Sequence, residues 1–217
     1  TNTFSREALE ELGSALAAVA AAKPKGLIIR SAKENFIAGA DINQFVRFQT
    51  PAEAVEFTRL GWDTMQKLRD LPFPTTAMVN GFCMGGGLEV ALACDLRYCA
   101  ESAQFAIPAA KLGLAYNVEG HKRLMETVGH ARAREIMFLG RRYGAQEAAA
   151  MGLVHRVLPD AELGAYVDGV IATLLDNAPL AIANSKTILE EYVKSAGAPD
   201  AEAMRAAMRR CAESEDY

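Results

Sequence analysis

The segment GFCMGGGLEV, residues 81–90, places three consecutive glycines just before a single carboxylate, Glu89, in apolar surroundings. Glycine lets the backbone turn sharply and lets a ligand approach its N–H groups closely. A glycine-rich turn that opens a helix aims free N–H donors at one point, which suits a phosphate or an oxygen that becomes negative during a reaction. The spacing does not match GxxxxGK[ST], GxGxxG or GxSxG, which disfavours nucleotide-phosphate sites and serine hydrolases.

Glu89 lies one turn into the helix that the glycines are expected to open. A carboxyl group in an apolar environment has a raised pKa, which suits proton transfer near neutral pH. Together, the glycines and Glu89 describe an oxyanion-stabilising site beside a general acid or base. The same pattern is equally typical of tight helix–strand packing with Glu89 as a surface or capping residue, and both interpretations stay open on the pattern alone.

The elements around these residues alternate between strand, loop and helix. Apolar, β-rich runs at residues 26–32, 75–80 and 96–100 read as buried strands. The loop 33–41 follows the first strand and the glycine triplet follows the second. The segment LEVALACD then reads as a short buried helix. This alternation predicts an α/β protein whose helices cover a sheet.

Several helices are predicted outside this central region. Leucines at helical spacing indicate a helix from Ser5 to about residue 21, and Thr50, Pro51 and Glu53 form a helix start that leads to about residue 70. Asp160 is predicted as the N-cap of a later helix, after a strand at residues 153–158. APLAIANSKTILEEYV and DAEAMRAAMRRCAE also read as helices. We therefore expect an α/β body over residues 1–158 and a helical region over 159–217.

Composition excludes several classes of function. The chain has 217 residues, 51% of them hydrophobic, and a formal net charge of −4, which argues against a nucleic-acid-binding protein. No apolar run reaches the length of a membrane span, and no signal peptide is visible. The four cysteines form no CxxC pair and are expected to be reduced core thiols, which suggests a cytoplasmic setting. The three histidines lack metal-ligand spacing, so no metal site is expected.

Three segments carry a family resemblance: ENFIAGADINQF (34–45), VNGFCMGGGLEVALACDLRYCAESAQF (79–105) and AQEAAAMGLVHRVLPDAEL (145–163). In this order and at these separations they resemble the crotonase, or enoyl-CoA hydratase/isomerase, superfamily. The resemblance implies a spiral of ββα turns with a C-terminal helical region, and homotrimers or dimers of trimers. It also implies acyl-CoA thioester substrates of fatty acid metabolism. Coenzyme A would be part of the substrate, and no separate cofactor would be needed.

The resemblance also assigns roles to residues of this chain. The two backbone N–H groups that would hold the thioester oxygen are those of Ala40, in AGAD, and Gly86, in GGGLE. Asp41 is expected to brace its own loop beside the substrate rather than to do chemistry. The positions expected along the coenzyme A and thioester path are Lys33, Phe36, Ala38, Ala40, Asp41, Gly85, Gly86 and Ala109.

One departure from the family pattern affects the reaction. Glu89 stands where hydratases of the family keep one of two catalytic glutamates, but the position of the second, after Pro108, is Ala109. Two carboxylates would position a water molecule and move its protons, and alanine can do neither. Ala109 therefore puts hydration in doubt, and isomerisation as well.

A second departure points to another reaction. The pattern LG-x-x-YN, with Tyr116 and Asn117, is similar to methylmalonyl-CoA decarboxylases of the superfamily, although these have a histidine at the position of Ala40. Decarboxylation needs an oxyanion hole and a proton donor but no second base. Tyr116 is a candidate donor or a core aromatic, and His121 is expected to face solvent. Three hypotheses follow: an enoyl-CoA hydratase-like lyase, a malonyl-type decarboxylase, or a catalytically weak acyl-CoA-binding protein.

Overall fold

The computed structural model describes residues 2–114 and 116–195, together with residues 202 and 206. Apart from residues 202 and 206, the segment DAEAMRAAMRRCAE that is predicted as a helix lies outside the described residues, and so does Cys211. Within them, the helices are α1 (Arg6–Ala22), α2 (Ile42–Phe45), α3 (Pro51–Arg69), α4 (Gly86–Ala93), α5 (Ala109–Leu112), α6 (Val118–Leu139), α7 (Ala145–Ala150), α8 (Leu163–Asp176) and α9 (Pro179–Lys194).

The strands in the described part of the chain form two sheets. They are β1 (Leu27–Arg30), β2 (Thr75–Val79), β3 (Phe82–Met84), β4 (Leu96–Ala100), β5 (Gln104–Ala106), β6 (Tyr143–Gly144) and β7 (Arg156–Leu158). One sheet has the order β1-β2-β4-β7 and is parallel throughout. In the other, β3 pairs in parallel with β5, and β5 pairs in antiparallel with β6. The predicted α/β class is confirmed, whereas the short strands β3, β5 and β6 were not predicted.

The sheet is covered by helices on both faces because its strands alternate their side chains. On β4, Cys99 belongs to the large core that also contains residues of α1, α3, α4 and α6. Its neighbours Tyr98 and Ala100 point to the other face, where they pack against Leu163 and Val167 of α8. The β2–β4–β7 strands thus form a common support for α4 on one face and α8 on the other.

Two helix starts follow the sequence signals, with one change of detail. Ser5 caps α1 by accepting a hydrogen bond from the backbone of Ala8. Thr50 caps α3, but the Glu53 carboxylate accepts from the N–H of Gln49, 2.9 Å away, rather than from that of the cap residue.

The prediction that Asp160 caps a helix is wrong. α8 begins after Glu162, because Pro159 O accepts hydrogen bonds from the backbones of Glu162 and Leu163 and forms a turn before the helix. The Asp160 carboxylate instead accepts hydrogen bonds from the backbone N–H and the hydroxyl group of Ser102. It therefore links this turn to the end of β4.

The chain has no helix, among the residues described, that is long and apolar enough to cross a membrane. Cys83, Cys94 and Cys99 are buried and not in disulfides. Burial raises the pKa of Cys94 to about 12, so this thiol is protonated at neutral pH. The proposed boundary between residues 158 and 159 stays a prediction.

Candidate active site

The two loops that the sequence singles out run side by side. Ile37 N donates a hydrogen bond to Phe82 O at 3.0 Å, and Met84 N donates to Ile37 O at 2.9 Å. These bonds pair Ile37 with Cys83 in a parallel bridge. Ala40 lies three residues beyond Ile37, and Gly86 lies three residues beyond Cys83. The parallel register therefore brings Ala40 and Gly86 to the same end of the paired segment.

The N–H group of Ala40 is left available by the backbone around it. Phe4 N donates to Gly39 O at 2.8 Å, and Asp41 N donates to Phe4 O at 2.9 Å, which pairs Phe4 with Ala40 in a parallel bridge. In such a bridge the N–H of the central residue points away from its partner strand. Within the described residues, this N–H donates no hydrogen bond.

The N–H group of Gly86 is available because it opens α4. Gly85 precedes it at φ 48°, a left-handed conformation that favours glycine. The first N–H groups of a helix have no acceptor inside the helix, and in the part of the chain described here Gly86 N donates to none outside it. A Cβ atom on Gly87 would lie 2.2 Å from Ile37 O. The triplet thus turns the chain and allows the two loops to approach closely.

Glu89 lies one turn into α4, and its carboxylate faces the start of α6. Asn117 Nδ2 donates to Glu89 Oε1 at 2.6 Å. Burial raises the pKa of Glu89, while the hydrogen bonds from Tyr116 and Asn117 and the charge of His121 act in the opposite direction. Glu89 is therefore neither the solvated surface residue nor the capping residue of the alternative interpretation.

Tyr116 lies between the glycine turn and Glu89. Its hydroxyl group is 3.4 Å from Gly85 O. Burial, together with the charge of Glu89, raises the pKa of Tyr116 well above its usual value. The hydroxyl group therefore stays protonated and acts as a hydrogen-bond donor.

The expectation that His121 faces solvent is wrong. It lies in the first turn of α6, half-buried, with its ring edge-on to Tyr116 at a centroid distance of 5.6 Å. Its Nδ1 is 2.8 Å from Asn117 O. Asn117, the N-cap of α6, contacts Glu89, so the first turn of α6 lies beside this buried carboxylate rather than in solvent.

Sequence reasoning missed part of this site at the start of α6. Gly120 packs so closely on the site that a Cβ atom there would lie 2.5 Å from Tyr116 Cε1 and 2.9 Å from Glu89 Oε1. Asn117 Oδ1 accepts a hydrogen bond from Gly120 N at 2.6 Å. The available signal was the asparagine itself, which is a strong N-cap residue before a helical stretch.

Ala109 contributes no polar group to the site. It begins α5, is 7% exposed and belongs to the main hydrophobic core. A cavity of about 20 Å³, large enough for one water molecule, lies beside Glu89 between α3 and α6. It is lined by Trp62, Met65, Gln66, Glu89, Asn117, Glu119, Gly120 and Arg123. A second carboxylate, Glu119, therefore borders the same cavity as Glu89.

The predicted coenzyme A path falls on the first loop. Lys33 is exposed and Phe36 is buried, and both line a larger cavity of about 370 Å³ beside α1 and β1. Ala38 N donates to Asn2 O at 2.8 Å. Asp41 Oδ1 accepts from Asn43 N at 3.0 Å, so its carboxylate holds the start of α2. The roles of these residues toward coenzyme A stay predictions.

Comparison with known families gives a match along the whole chain. The family model described as enoyl-CoA hydratase/isomerase matches residues 1–216. The chain is 34% identical over 160 residues to the short-chain-enoyl-CoA hydratase of Clostridium acetobutylicum, which covers 74% of this chain and 61% of that protein. It is 37% identical over 142 residues to the fatty acid oxidation complex subunit alpha of Vibrio campbellii, which covers 64% of this chain. The matched segment is only 20% of that subunit.

Solved structures agree with the fold. An enoyl-CoA hydratase/carnithine racemase from Magnetospirillum magneticum superposes with a TM-score of 0.94 at 29% identity, covering 99% of this chain and 81% of that one. An enoyl-CoA hydratase from Bacillus anthracis gives 0.87 at 30% identity, covering 97% and 81%. These matches confirm the crotonase-like fold. None of these four similar proteins is described as a decarboxylase. They therefore give no specific support to the similarity to methylmalonyl-CoA decarboxylases.

Proposed function

Because the chain belongs to the enoyl-CoA hydratase/isomerase family, we propose that it is an enoyl-CoA hydratase-like enzyme that binds an acyl-CoA thioester and stabilises its enolate. The observation that supports this proposal is the pairing of Ile37 with Cys83, which brings the free N–H groups of Ala40 and Gly86 to one end of two adjacent loops. Glu89 follows Gly86 by one helical turn.

In this proposal the two N–H groups bind the thioester oxygen. The oxygen gains negative charge when a nucleophile adds to the conjugated double bond, and preorganised donors stabilise that charge. Loss of one such donor typically costs about 3 kcal/mol of transition-state stabilisation. The N-terminal end of α4 adds its favourable dipole at the same point.

Glu89 is the proposed proton-transfer group. As a base it would take a proton from water while the water oxygen bonds to the β-carbon, and the electron pair of the double bond would move to the thioester oxygen. Glu89 would then return the proton to the α-carbon, so that one water adds across the bond. Burial raises the pKa of Glu89 toward the range in which both transfers are efficient.

Ala109 leaves the second acid–base position of a hydratase without a carboxylate, and Glu119 is the candidate replacement. Glu119 and Glu89 border the same water-sized cavity. No hydrogen bond or ion pair occupies the Glu119 carboxylate within the described residues, unlike those of Glu135 and Glu147. A water held there would be oriented by Glu119 while Glu89 removes its proton. We expect Glu119→Gln to lower the hydration rate without abolishing acyl-CoA binding.

Decarboxylation of a malonyl-type CoA is the second candidate function. Two observations favour it: the buried Ala109 supplies no second carboxylate, and the protonated Tyr116 hydroxyl lies beside Glu89. A third possibility, a catalytically weak acyl-CoA-binding protein, would need only the two N–H groups. All three functions would use the pairing of the two loops that carry Ala40 and Gly86. They would differ in the roles of Glu89 and Tyr116.

Mass spectrometry of a mixed panel of enoyl-CoA and malonyl-type CoA thioesters, incubated with the purified protein, separates these functions. We expect one enoyl-CoA to gain the mass of water with the wild-type protein and with the surface control Glu11→Gln, but not with Glu89→Gln. Loss of carbon dioxide from a malonyl-type CoA, with every enoyl-CoA unchanged, would overturn the hydratase proposal. Binding of acyl-CoA with no product would favour the binding protein.

A further inference from the structure

The side-chain amide of Asn117 makes two hydrogen bonds, one at the start of α6 and one to Glu89. Its Oδ1 accepts a hydrogen bond from Gly120 N at 2.6 Å, as the N-cap of α6. Its Nδ2 donates to Glu89 Oε1, also at 2.6 Å. The helix start and the candidate catalytic carboxylate are therefore held by opposite ends of the same side chain.

The two contacts determine the orientation of the amide. A backbone N–H can only donate, so the atom facing Gly120 must be the oxygen. The nitrogen then has to face Glu89, and as a donor it interacts best with an ionised carboxylate. A flipped amide would place donor against donor at Gly120 and oxygen against oxygen at Glu89. The capping bond thus keeps a donor aimed at Glu89.

We propose that Asn117 is a positioning residue that holds Glu89 in its ionised, correctly oriented form at the thioester site. This inference rests on the proposed function, in which Glu89 acts as a base. Gly120 supports the arrangement, because any side chain there would meet Glu89 Oε1 at 2.9 Å and push the carboxylate away from the amide.

Several other groups surround Glu89 together with Asn117. The α6 segment also presents Glu119, Arg123 and His121, and α3 presents the uncharged Trp62, Met65 and Gln66. Tyr116 also donates a hydrogen bond to Glu89, while its hydroxyl group lies 3.4 Å from Gly85 O. The contact from Asn117 differs because the capping bond to Gly120 N fixes the orientation of its amide.

The test uses two substitutions that preserve the cap. Serine and aspartate are both good N-cap residues, so Asn117→Ser and Asn117→Asp should keep α6 intact. Serine removes the amide donor, and aspartate places a second carboxylate against Glu89. We expect the acid limb of the kcat/KM profile to move to higher pH by about one to two units for Asn117→Ser. Asn117→Asp should move it further, because two adjacent carboxylates disfavour each other's ionisation.

Direct titration of the carboxyl group makes the test independent of activity. The ¹³C NMR signal of the Glu89 side chain, assigned by its loss in Glu89→Gln, reports the pKa of this group in each protein. An equal pKa in the wild type and in Asn117→Ser would overturn the inference and leave Asn117 as a helix cap only. A raised pKa in a protein that hydrates no enoyl-CoA would support the positioning role and reject the proposed function. Asn117→Ser decides the question alone if Asn117→Asp does not fold.

Discussion

At the scale of single residues, opposing effects act on the pKa of Glu89. Burial favours its protonated form, whereas Asn117, Tyr116 and His121 favour the carboxylate. Because desolvation is the largest of these effects, the pKa of Glu89 lies above its ordinary value. This shift moves the pKa toward the pH range in which a carboxyl group both accepts and releases a proton efficiently, which the proposed reaction requires of it.

The same balance predicts a dependence of stability on pH. The folded state binds the Glu89 proton more tightly than the unfolded state, so the stability from this group is fully present below the ordinary pKa of glutamate. It is lost as pH rises through the raised pKa of the folded protein. Because glutamine does not ionise, Glu89→Gln should not lose this stability as pH rises.

Urea unfolding of both proteins from pH 4 to pH 8 measures the effect. We expect Glu89→Gln to gain in unfolding free energy relative to the wild type as pH rises through this window. A constant difference between the two proteins would show that the pKa of Glu89 is not raised.

Ala109 allows the missing carboxylate to be restored. If hydration is the reaction, Ala109→Glu should raise its rate by about tenfold or more, because a second acid–base group contributes at least this much in many enzymes. The added volume at this buried position should cost about 1–3 kcal/mol of stability. Ala109→Gln has the same size without the charge, so an equal gain in Ala109→Gln would contradict the explanation.

At the scale of elements, the site depends on how closely α4 approaches the first loop. The backbone of Gly87 lies against Ile37 O, and the backbone of Gly39 lies so close to Met84 O that a Cβ atom there would be 3.1 Å from it. Side chains at these positions would separate the loops that carry Ala40 and Gly86. The glycines therefore serve the spacing between elements as well as the local turn.

A pair of Gly→Ala substitutions in helices tests this close approach. Gly87→Ala should destabilise the protein by about 2 kcal/mol or more, since its Cβ atom would be 2.2 Å from Ile37 O. Gly169→Ala, in α8, meets nothing within 4 Å and should stabilise by about 0.5–1 kcal/mol through helix propensity. Both changes are read from chemical denaturation. Similar effects of the two substitutions would argue against a tight contact between the loops.

At the scale of the whole molecule, α9 is held to the body by charged groups. It has no buried residue among those described. Lys186 Nζ, whose side chain is 10% exposed, donates to Asp95 Oδ2 at 2.9 Å and to Phe73 O at 3.1 Å. Asp95 in turn accepts hydrogen bonds from the backbone and the hydroxyl group of Thr75 at the start of β2. The contact thus connects the helical region to the parallel sheet.

Removing this contact should loosen α9 selectively. Lys186→Met leaves Asp95 without its cation and should cost about 2 kcal/mol. Lys194→Met removes a solvent-exposed pair with Asp70, 3.7 Å apart, and should change stability by less than about 1 kcal/mol. Hydrogen exchange should then be faster in residues 179–194 of Lys186→Met than in the control. Equal exchange in both variants would contradict this role of Lys186.

The assembly implied by the family stays a prediction. We expect light scattering coupled to size exclusion to give the mass of three or six copies of the chain. A monomer at micromolar concentration would overturn the trimer expectation. The cytoplasmic setting and the absence of a separate cofactor also stay predictions.

The sequence by itself determined the α/β alternation and the helix starts at Ser5 and Thr50, and it singled out Gly86 and Glu89, whose roles stay predictions. These features depend on local signals such as side-chain periodicity, capping residues and glycine at a turn. Only the tertiary structure decided what surrounds Glu89. Asn117 is 28 residues away along the chain, and it meets Glu89 because α6 packs on α4. Such long-range contacts arise from the packing of whole elements, which no local pattern encodes.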